Sequence, residues 1–189
     1  MLILKFLTDE MKIEDEISLF EKKLGKKLPE QYRSFLIRYN GGDTPETSFR
    51  CNRKSSDVRA FYGVGKARYN FDEIPFLEDF LANSYLPIAE DSFGNYIVIG
   101  LTNDTMGKIY FCNHEHQMRT KILTETFGEF VKACKSTELN VEEPLTVEEN
   151  ERRMIAAGKG DEIDDFDRVI WKEQYELFHN RRQEEVVLD

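Results

Sequence analysis

The chain has 189 residues, a mass of 22.2 kDa and a formal net charge of -10 at pH 7. A chain of this length can bury a core without disulfides or metals, and no apolar run approaches the roughly 20 residues that cross a bilayer. Its 3 cysteines are widely spaced, which argues against a disulfide framework and predicts reduced thiols in a cytoplasmic protein.

The acidic charge is concentrated towards the C terminus. Residues 138–189 hold 16 acidic and 7 basic residues, whereas residues 1–137 hold 20 acidic and 19 basic residues. Binding to nucleic acid needs clustered Lys and Arg to neutralise phosphates, so this distribution argues against direct contact with nucleic acid. It favours a basic protein as the partner.

The N-terminal part predicts an edge strand or packed arm followed by a helical hairpin. Residues 1–7 are apolar, and residues 8–9 (Thr-Asp) are suited to cap the next helix. Between residues 10 and 24, apolar side chains recur at steps of three and four, which predicts an amphipathic helix. A second helix is expected to start at residues 28–29 (Leu-Pro) and to end at residues 40–42 (Asn-Gly-Gly).

The next part predicts a long loop, a strand and a third helix. Residues 43–57 are rich in Ser, Thr, Asn and charge, and predict a mobile loop with a short strand at residues 48–51. Residues 58–64 have strand composition. Residues 69–84 predict a helix with apolar residues on one side and acidic residues on the other.

Residues 85–113 predict an antiparallel β-meander, around which the rest of the chain is organised. Three apolar, aromatic or β-branched runs, at 86–89, 96–99 and 109–112, are separated by polar turns that contain glycine. The middle run lacks polar alternation, so both faces of this strand are expected to be covered.

After the meander, residues 118–123 predict a fourth strand, and a capping box at Thr126 and Glu129 predicts a helix. The body is expected to span residues 1–137. Residues 138–189 predict an acidic helical extension with one helix that ends at Gly158 and another from about 162 to 182. The aromatic residues of the last helix are expected to pack on the body or on a second copy, and the sequence leaves this choice and the oligomeric state open.

Four fragments of the sequence form a specific series. They are LPxxYxxFL at 28–36, NGG at 40–42, LPIAEDxxGNY at 86–96 and GKIYF at 107–111. In this order and spacing they resemble the SUKH superfamily, also called the Smi/Knr group, over roughly residues 14–135. Cys112 lies close to the position where many members have Trp, and nothing after residue 138 matches the family core.

The resemblance implies an α+β fold in which an antiparallel sheet is flanked by helices. In bacteria it usually implies an immunity protein that binds and neutralises a polymorphic or contact-dependent toxin, often a nuclease. Fungal members act instead as regulatory scaffolds. We therefore predict a non-catalytic immunity protein in a stoichiometric complex with a basic nuclease toxin, with no cofactor and no membrane contact. The alternative is a scaffold that binds cellular proteins.

The candidate residues for binding this partner are acidic, because they would complement a basic surface. A solvated helix face is the competing explanation for each group. The candidates are Asp72, Glu73, Glu78, Asp79, Glu90, Asp91, Asp161, Glu162, Asp164 and Asp165.

The sequence also contains residues that could form a metal site or an acid–base site. Cys112, His114 and His116 alternate and could offer ligands to zinc if the strand continued, but no fourth ligand is visible, and a strand that runs into a polar turn explains them. Glu90 and Asp91 could act as acid or base, but no nucleophile accompanies them, and Asp91 is expected to cap the turn. Because phosphate-loop, metalloprotease and serine-hydrolase motifs are absent, the sequence predicts neither an enzyme nor a metal site.

Overall fold

The computed structural model describes residues 1–7, 13–116, 119–137, 144–179 and 181–188. The chain divides into two compact units. The first, which we call the body, comprises Met1–Glu138 and Arg182–Asp189. The second, which we call the insert, comprises Leu139–Arg181. The body is α+β with a large antiparallel sheet and several helices, which confirms the predicted fold class.

The helices and strands have the following bounds. The helices are α1 (Ile13–Leu24), α2 (Glu30–Tyr39), α3 (Leu77–Ala82), α4 (Phe127–Ala133), α5 (Val147–Ala156) and α6 (Asp165–Phe178). The strands are β1 (Ile3–Leu7), β2 (Gly42–Asp43), β3 (Thr47–Cys51), β4 (Lys54–Asp57), β5 (Ala60–Phe61), β6 (Tyr85–Glu90), β7 (Tyr96–Gly100), β8 (Ile109–Cys112), β9 (Thr120–Thr124), β10 (Cys134–Ser136) and β11 (Arg181–Glu185). Short 3₁₀ turns lie at Phe71–Glu73, His114–His116 and Gly160–Glu162.

The main sheet has eight strands in the order β11-β1-β2-β5-β6-β7-β8-β9. The meander β6 to β9 is antiparallel throughout, with Val98 opposite Pro87 on one side and Tyr110 on the other. Ile97, Val98 and Ile99 have no exposed surface, so both faces of β7 are covered, as the sequence predicted. The predicted meander is therefore confirmed.

The helices before and after the meander cover one side of the sheet with aromatic rings. Phe35 of α2 is completely buried, and its ring lies 5.2 Å from Phe127 of α4 and 5.3 Å from Phe61 of β5. Because aromatic pairs at these separations contribute beyond their buried area, this cluster holds α2 and α4 on the sheet.

The Asn-Gly-Gly sequence ends α2 and ties it to a distant loop. Asn40 adopts the left-handed conformation with φ 48°, and its side chain accepts a hydrogen bond from Val64 N (2.8 Å) and donates one to Val64 O (3.0 Å). A β-carbon on Gly41 would lie 2.6 Å from Phe61 O, so only glycine fits there. The motif therefore fixes the start of β2.

The short strand predicted at 48–51 is confirmed as β3, but the rest of residues 43–57 forms further strands instead of the predicted mobile loop. Most of the segment is the hairpin β3–β4, whose two turn residues Asn52 and Arg53 have φ of 43° and 60°. Two consecutive left-handed residues are typical of a type I′ turn. Side chains of β3 alternate between buried and exposed, and with β10 the hairpin makes a second sheet in the order β10-β3-β4.

The predicted helix at 69–84 was wrong in its first half. The chain forms a 3₁₀ turn and then the six-residue α3, because Pro75 keeps Ile74 out of the helical region, at φ -72° and ψ 118°. The strand predicted at 58–64 is limited to β5. The cap predicted at residues 8–9 lies outside the described residues.

The C-terminal strand returns to the body, which the sequence did not predict. The last helix was expected to reach residue 182, but α6 ends at Phe178 and β11 then lies beside β1. Val186 N donates to Leu2 O (2.9 Å), and the Val186 side chain is buried in the core. Val187 N donates to the hydroxyl of Tyr39 (3.0 Å).

The chain leaves the body after β10, which is also hydrogen-bonded to the N-terminal segment. Ser136 N donates to Met1 O (2.9 Å), and Ile3 N donates to Ser136 Oγ (2.8 Å). The exit after β10 and the re-entry at Val186 are thus both anchored on residues 1–3. The two segments that flank the insert in the sequence are therefore both hydrogen-bonded to the N-terminal segment.

The insert contains α5 and α6. The predicted capping box at Thr146 and Glu149 is confirmed, and Asp164 and Asp167 form a second one that opens α6. Arg168 joins the helices through an ion pair with Glu151 (2.6 Å). Ile155, Phe166 and Val169 of the insert are exposed.

Candidate partner-binding surface

Four of the predicted acidic residues lie together around α3. Asp72 and Glu73 belong to the 3₁₀ turn, Glu78 and Asp79 belong to α3, and all four are exposed. Two buried aromatic residues hold these elements in place. Phe71 stacks on Phe20 of α1 with 4.6 Å between ring centroids, and Phe80 packs edge-on against Tyr96 at 5.1 Å.

An apolar tip separates the two acidic pairs. Pro75 and Phe76 are exposed, and Leu77 is half-buried. Phe76 is 77% exposed and has φ 59° and ψ 28°. We call residues 72–79 the α3 surface.

The charge of the α3 surface is largely uncompensated. Asp72 forms an ion pair with Lys23, and both side chains are mostly exposed, so this pair contributes little. Glu73, Glu78 and Asp79 form no ion pair with any residue in the described ranges. Within the described part of the chain, the surface therefore has three carboxylates without an ion-pair partner.

Asp91 is buried and holds the β6–β7 turn. Its Oδ1 accepts from Phe93 N (2.9 Å) and Asn95 N (2.8 Å), and its Oδ2 accepts from Ser56 Oγ (2.7 Å) and Asn95 Nδ2 (2.8 Å). The bond to the backbone two residues on confirms the predicted turn cap. Because Asp91 is 1% exposed and its carboxylate is saturated with donors, Asp91 is not part of an exposed acidic surface.

Glu90 is half-buried and already paired. It accepts a hydrogen bond from the Tyr62 hydroxyl and lies 3.3 Å from Arg59 Nη1. Burial and the hydrogen bond to Glu90 raise the pKa of Tyr62 well above its ordinary value. The Tyr62 phenol therefore stays protonated, and Tyr62 and Arg59 together hold the Glu90 side chain in place.

The contacts of Glu90 and Arg59 extend to further charged and aromatic residues on the outside of the sheet. The guanidinium groups of Arg59 and Arg68 each lie 5.7 Å from the ring centre of Tyr69, and Arg68 pairs with Asp43 (3.0 Å). The neighbouring Tyr69 hydroxyl and the Glu90 carboxylate raise the pKa of Arg59. These contacts fix the loop after β5 to the sheet, which is a structural role.

The residues considered for zinc do not share a strand face. β8 ends at Cys112, and a 3₁₀ turn begins at His114, so the predicted strand and polar turn are confirmed. Burial raises the pKa of Cys112 to about 11, which keeps the thiol protonated. His114 Nδ1 lies 3.1 Å from Asn95 Oδ1. In the ranges that the structure covers, no group of three or more His, Cys, Asp or Glu side chains could hold a metal.

The acidic candidates of the insert are exposed, and two of them have local partners. Asp164 caps α6, with its Oδ1 accepting from Asp167 N (2.9 Å). Asp165 pairs with Arg168 (2.9 Å). Asp161 and Glu162 lie in the 3₁₀ turn before α6. This group belongs to a different unit from the α3 surface.

A groove on the second sheet has the opposite charge. It encloses about 710 Å³ and includes Ser48, Arg50, Ser55 and Lys135 among its lining residues. Neither Arg50 nor Lys135 forms an ion pair with another described residue. None of the predicted site residues lines it.

Phe76 was not among the residues predicted from the sequence. In the helix predicted at 69–84, Phe76 falls outside the apolar face. This position was the feature of the sequence that could have identified it. An apolar residue on the polar side of a helix is a candidate for an exposed contact.

Comparison with known proteins identifies one family. Residues 14–133 match the sequence model of the SMI1 / KNR4 family (SUKH-1). Neither the curated proteins nor the solved structures include a match to the chain. Among the helices that the structure describes, none is long and apolar enough to cross a membrane.

Proposed function

Because the chain belongs to the SMI1 / KNR4 family (SUKH-1), we propose that it is an immunity protein, which binds a polymorphic or contact-dependent toxin in a stoichiometric complex. The observation that carries this proposal is the match over residues 14–133, which includes α1, α2, the meander and α4. Such a protein works in the cytoplasm by occupying a surface of the toxin, and it needs no catalytic group or cofactor.

The toxin we propose is a basic protein domain, such as a nuclease. A nuclease binds phosphates with clustered Lys and Arg, and an acidic partner can cover that surface. The three carboxylates of the α3 surface that have no ion-pair partner among the described residues support this choice. Complementary charge would speed the encounter and block the cleft, while the immunity protein itself makes no contact with nucleic acid.

A regulatory scaffold is the second candidate. It is favoured by the insert, which lies beyond the matched residues and exposes Ile155, Phe166 and Val169. Exposed apolar residues on an added unit are typical of a surface that binds another protein. In this case the insert would carry the partners and the body would support it.

Affinity capture from the source cells tests the proposal. The tagged full-length chain is purified with its partners, which are identified and assayed for nuclease activity before and after the complex is stripped. One dominant basic partner that becomes active on release supports the immunity function. Several unrelated partners without latent activity contradict it and favour the scaffold.

An association-rate measurement on the captured partner tests the charged surface. We expect the rate of binding to fall as NaCl is raised from about 50 to 500 mM, and to fall also in the double variant Glu78→Gln, Asp79→Asn. Glu46→Gln is the control, because Glu46 is exposed in the loop between β2 and β3. Equal rates for the double variant and the wild type would exclude the α3 surface.

A further inference from the structure

We propose that Phe76 is the anchor through which the α3 surface holds its partner, and that the partner offers an apolar pocket bordered by Lys and Arg side chains. This proposal rests on the function proposed above and specifies the partner's binding site. Its basis is an aromatic residue that the fold keeps in an unfavourable conformation with its ring exposed.

The backbone of Phe76 lies in the left-handed region, which crowds the β-carbon of every residue except glycine. The other non-glycine residues with positive φ in the described ranges are Asn40, Asn52, Arg53 and Ser84. Asparagine tolerates this region, and a bulky aromatic residue does not. Phe76 is therefore the clearest outlier in the backbone.

The fold gains little from a phenylalanine at this position. The carbonyl of Phe76 accepts from Asp79 N (3.0 Å), a bond that Gly or Asn would make equally well. The ring itself is 77% exposed, so it contributes little to the core. A strained residue that does not stabilise the fold points to a role outside it.

The surroundings of the ring define the chemistry of its partner. Aromatic side chains that fill a pocket at the centre of an interface contribute most of the binding energy. Burial of Phe76 would also bring Glu73, Glu78 and Asp79 into or beside the contact. Since desolvated carboxylates must be paired, the rim of the partner's pocket has to supply cations.

Phe93 provides a matched control. Its side chain is 71% exposed on the β6–β7 turn, and it is absent from the residues with positive φ. Removing either ring takes away a similar exposed apolar area. Only at position 76 does the change also relieve the backbone.

The first arm of the test compares the thermal unfolding of Phe76→Gly and Phe93→Gly. For Phe76→Gly we expect a melting temperature at or above that of the wild type, by up to ~4 °C. For Phe93→Gly we expect a decrease, because glycine adds freedom to the unfolded chain without relieving strain. A lower melting temperature for Phe76→Gly than for Phe93→Gly would overturn the proposal.

The second arm passes source-cell extract over the immobilised wild type, Phe76→Gly and Phe93→Gly at equal loading, with retained chains quantified by mass spectrometry. We expect a basic chain on the wild type and Phe93→Gly, and at least ~10-fold less of it on Phe76→Gly. Equal retention on all three would overturn the anchor and leave the proposed function standing. If the wild type retains no basic chain, the proposed function fails and the anchor fails with it.

Discussion

Glu21 is a buried carboxylate of α1 whose partners lie in the turn between α1 and α2 and in α2 itself. It is 3% exposed and accepts hydrogen bonds from Leu28 N (3.0 Å) and Lys27 Nζ (2.7 Å), with Arg33 at 3.5 Å. Burial opposes its ionisation, but these donors and cations outweigh burial and lower the pKa of Glu21. The charge thus stabilises the folded state.

We expect Glu21→Gln to lower the free energy of unfolding by about 2 kcal/mol at pH 7, because the charge-assisted bonds are weakened. A folded-state pKa below the unfolded value gives stability that is present above the unfolded pKa and lost as the pH falls through the folded pKa. The difference between the variant and the wild type should therefore shrink below about pH 4.3.

Urea unfolding at several pH values measures this difference. Glu46→Gln serves as the control, because Glu46 is exposed, and its effect should stay within about 0.5 kcal/mol at every pH. A difference for Glu21→Gln that is unchanged from pH 7 to pH 3 would contradict the assigned role.

For single residues, the sequence predicted exposure to solvent more accurately than it predicted the role of each side chain. Asp72, Glu73, Glu78 and Asp79 were placed on an exposed face and lie on one. Asp91 was also a candidate, and the turn-capping alternative was the correct one, because the neighbouring Ser56 and Asn95 complete its shell of donors. Such a shell depends on a contact between β4 and the turn, which no local pattern reveals.

The hairpin β3–β4 depends on a turn with an unusual sequence. Both Asn52 and Arg53 have positive φ, and the second position of a type I′ turn strongly favours glycine. Arg53→Gly should therefore raise the free energy of unfolding by about 0.5–1 kcal/mol. Urea unfolding at pH 7 checks the value.

Arg50→Gly is the comparison for this prediction. Arg50 is exposed on β3, where glycine is unfavourable, so its replacement should lower the free energy of unfolding by about 1 kcal/mol. A change in the free energy of unfolding with opposite signs at positions 50 and 53 would distinguish the relief of backbone strain in the turn from a general effect of removing arginine. A loss of stability in both variants would contradict the type I′ assignment.

Among the elements, those with strong local patterns were predicted and those made by tertiary contacts were not. The β-branched run of β7 and the heptad-like spacing of α1 were sufficient for the meander and the first helix. In the hairpin, β3 was predicted, but serines and charges conceal β4, and the turn between them lacks the usual glycine. β11 has the sequence RRQEE, and it is a strand because β1 provides a pairing edge and Val186 a core contact.

For the whole molecule, we compare two deletions that remove most of the same residues. Because the segments on both sides of the insert are bonded to residues 1–3, the two variants are expected to differ in stability. In the excised variant, residues 138–181 are replaced by a flexible linker of about ten residues. In the truncated variant, the chain stops after residue 137. Only the truncated variant loses β11 and the buried side chain of Val186.

We expect the excised variant to unfold cooperatively and to be more stable than the truncated variant by about 2–3 kcal/mol. The difference comes from the burial of Val186 and the bond of Val187 to Tyr39. Urea unfolding of both variants measures it. Equal stability would mean that β11 does not contribute to the fold.

The excised variant also separates the two proposed functions in the capture experiment. A toxin bound by the α3 surface should be retained by the excised variant. The partners of a scaffold that uses the insert should be lost. The truncated variant is unsuitable for this purpose, since a lower stability of the body would reduce binding in either case.

The position of β11 also has a consequence for protein synthesis. β1 is translated before the other described strands, and β11, its neighbour in the sheet, is translated after them. Until then the outer edge of β1 has open hydrogen-bonding groups, which can pair with the edge of another nascent chain. This edge of the sheet is therefore completed last during translation. A chaperone that binds exposed strand edges would have the longest time to bind at β1.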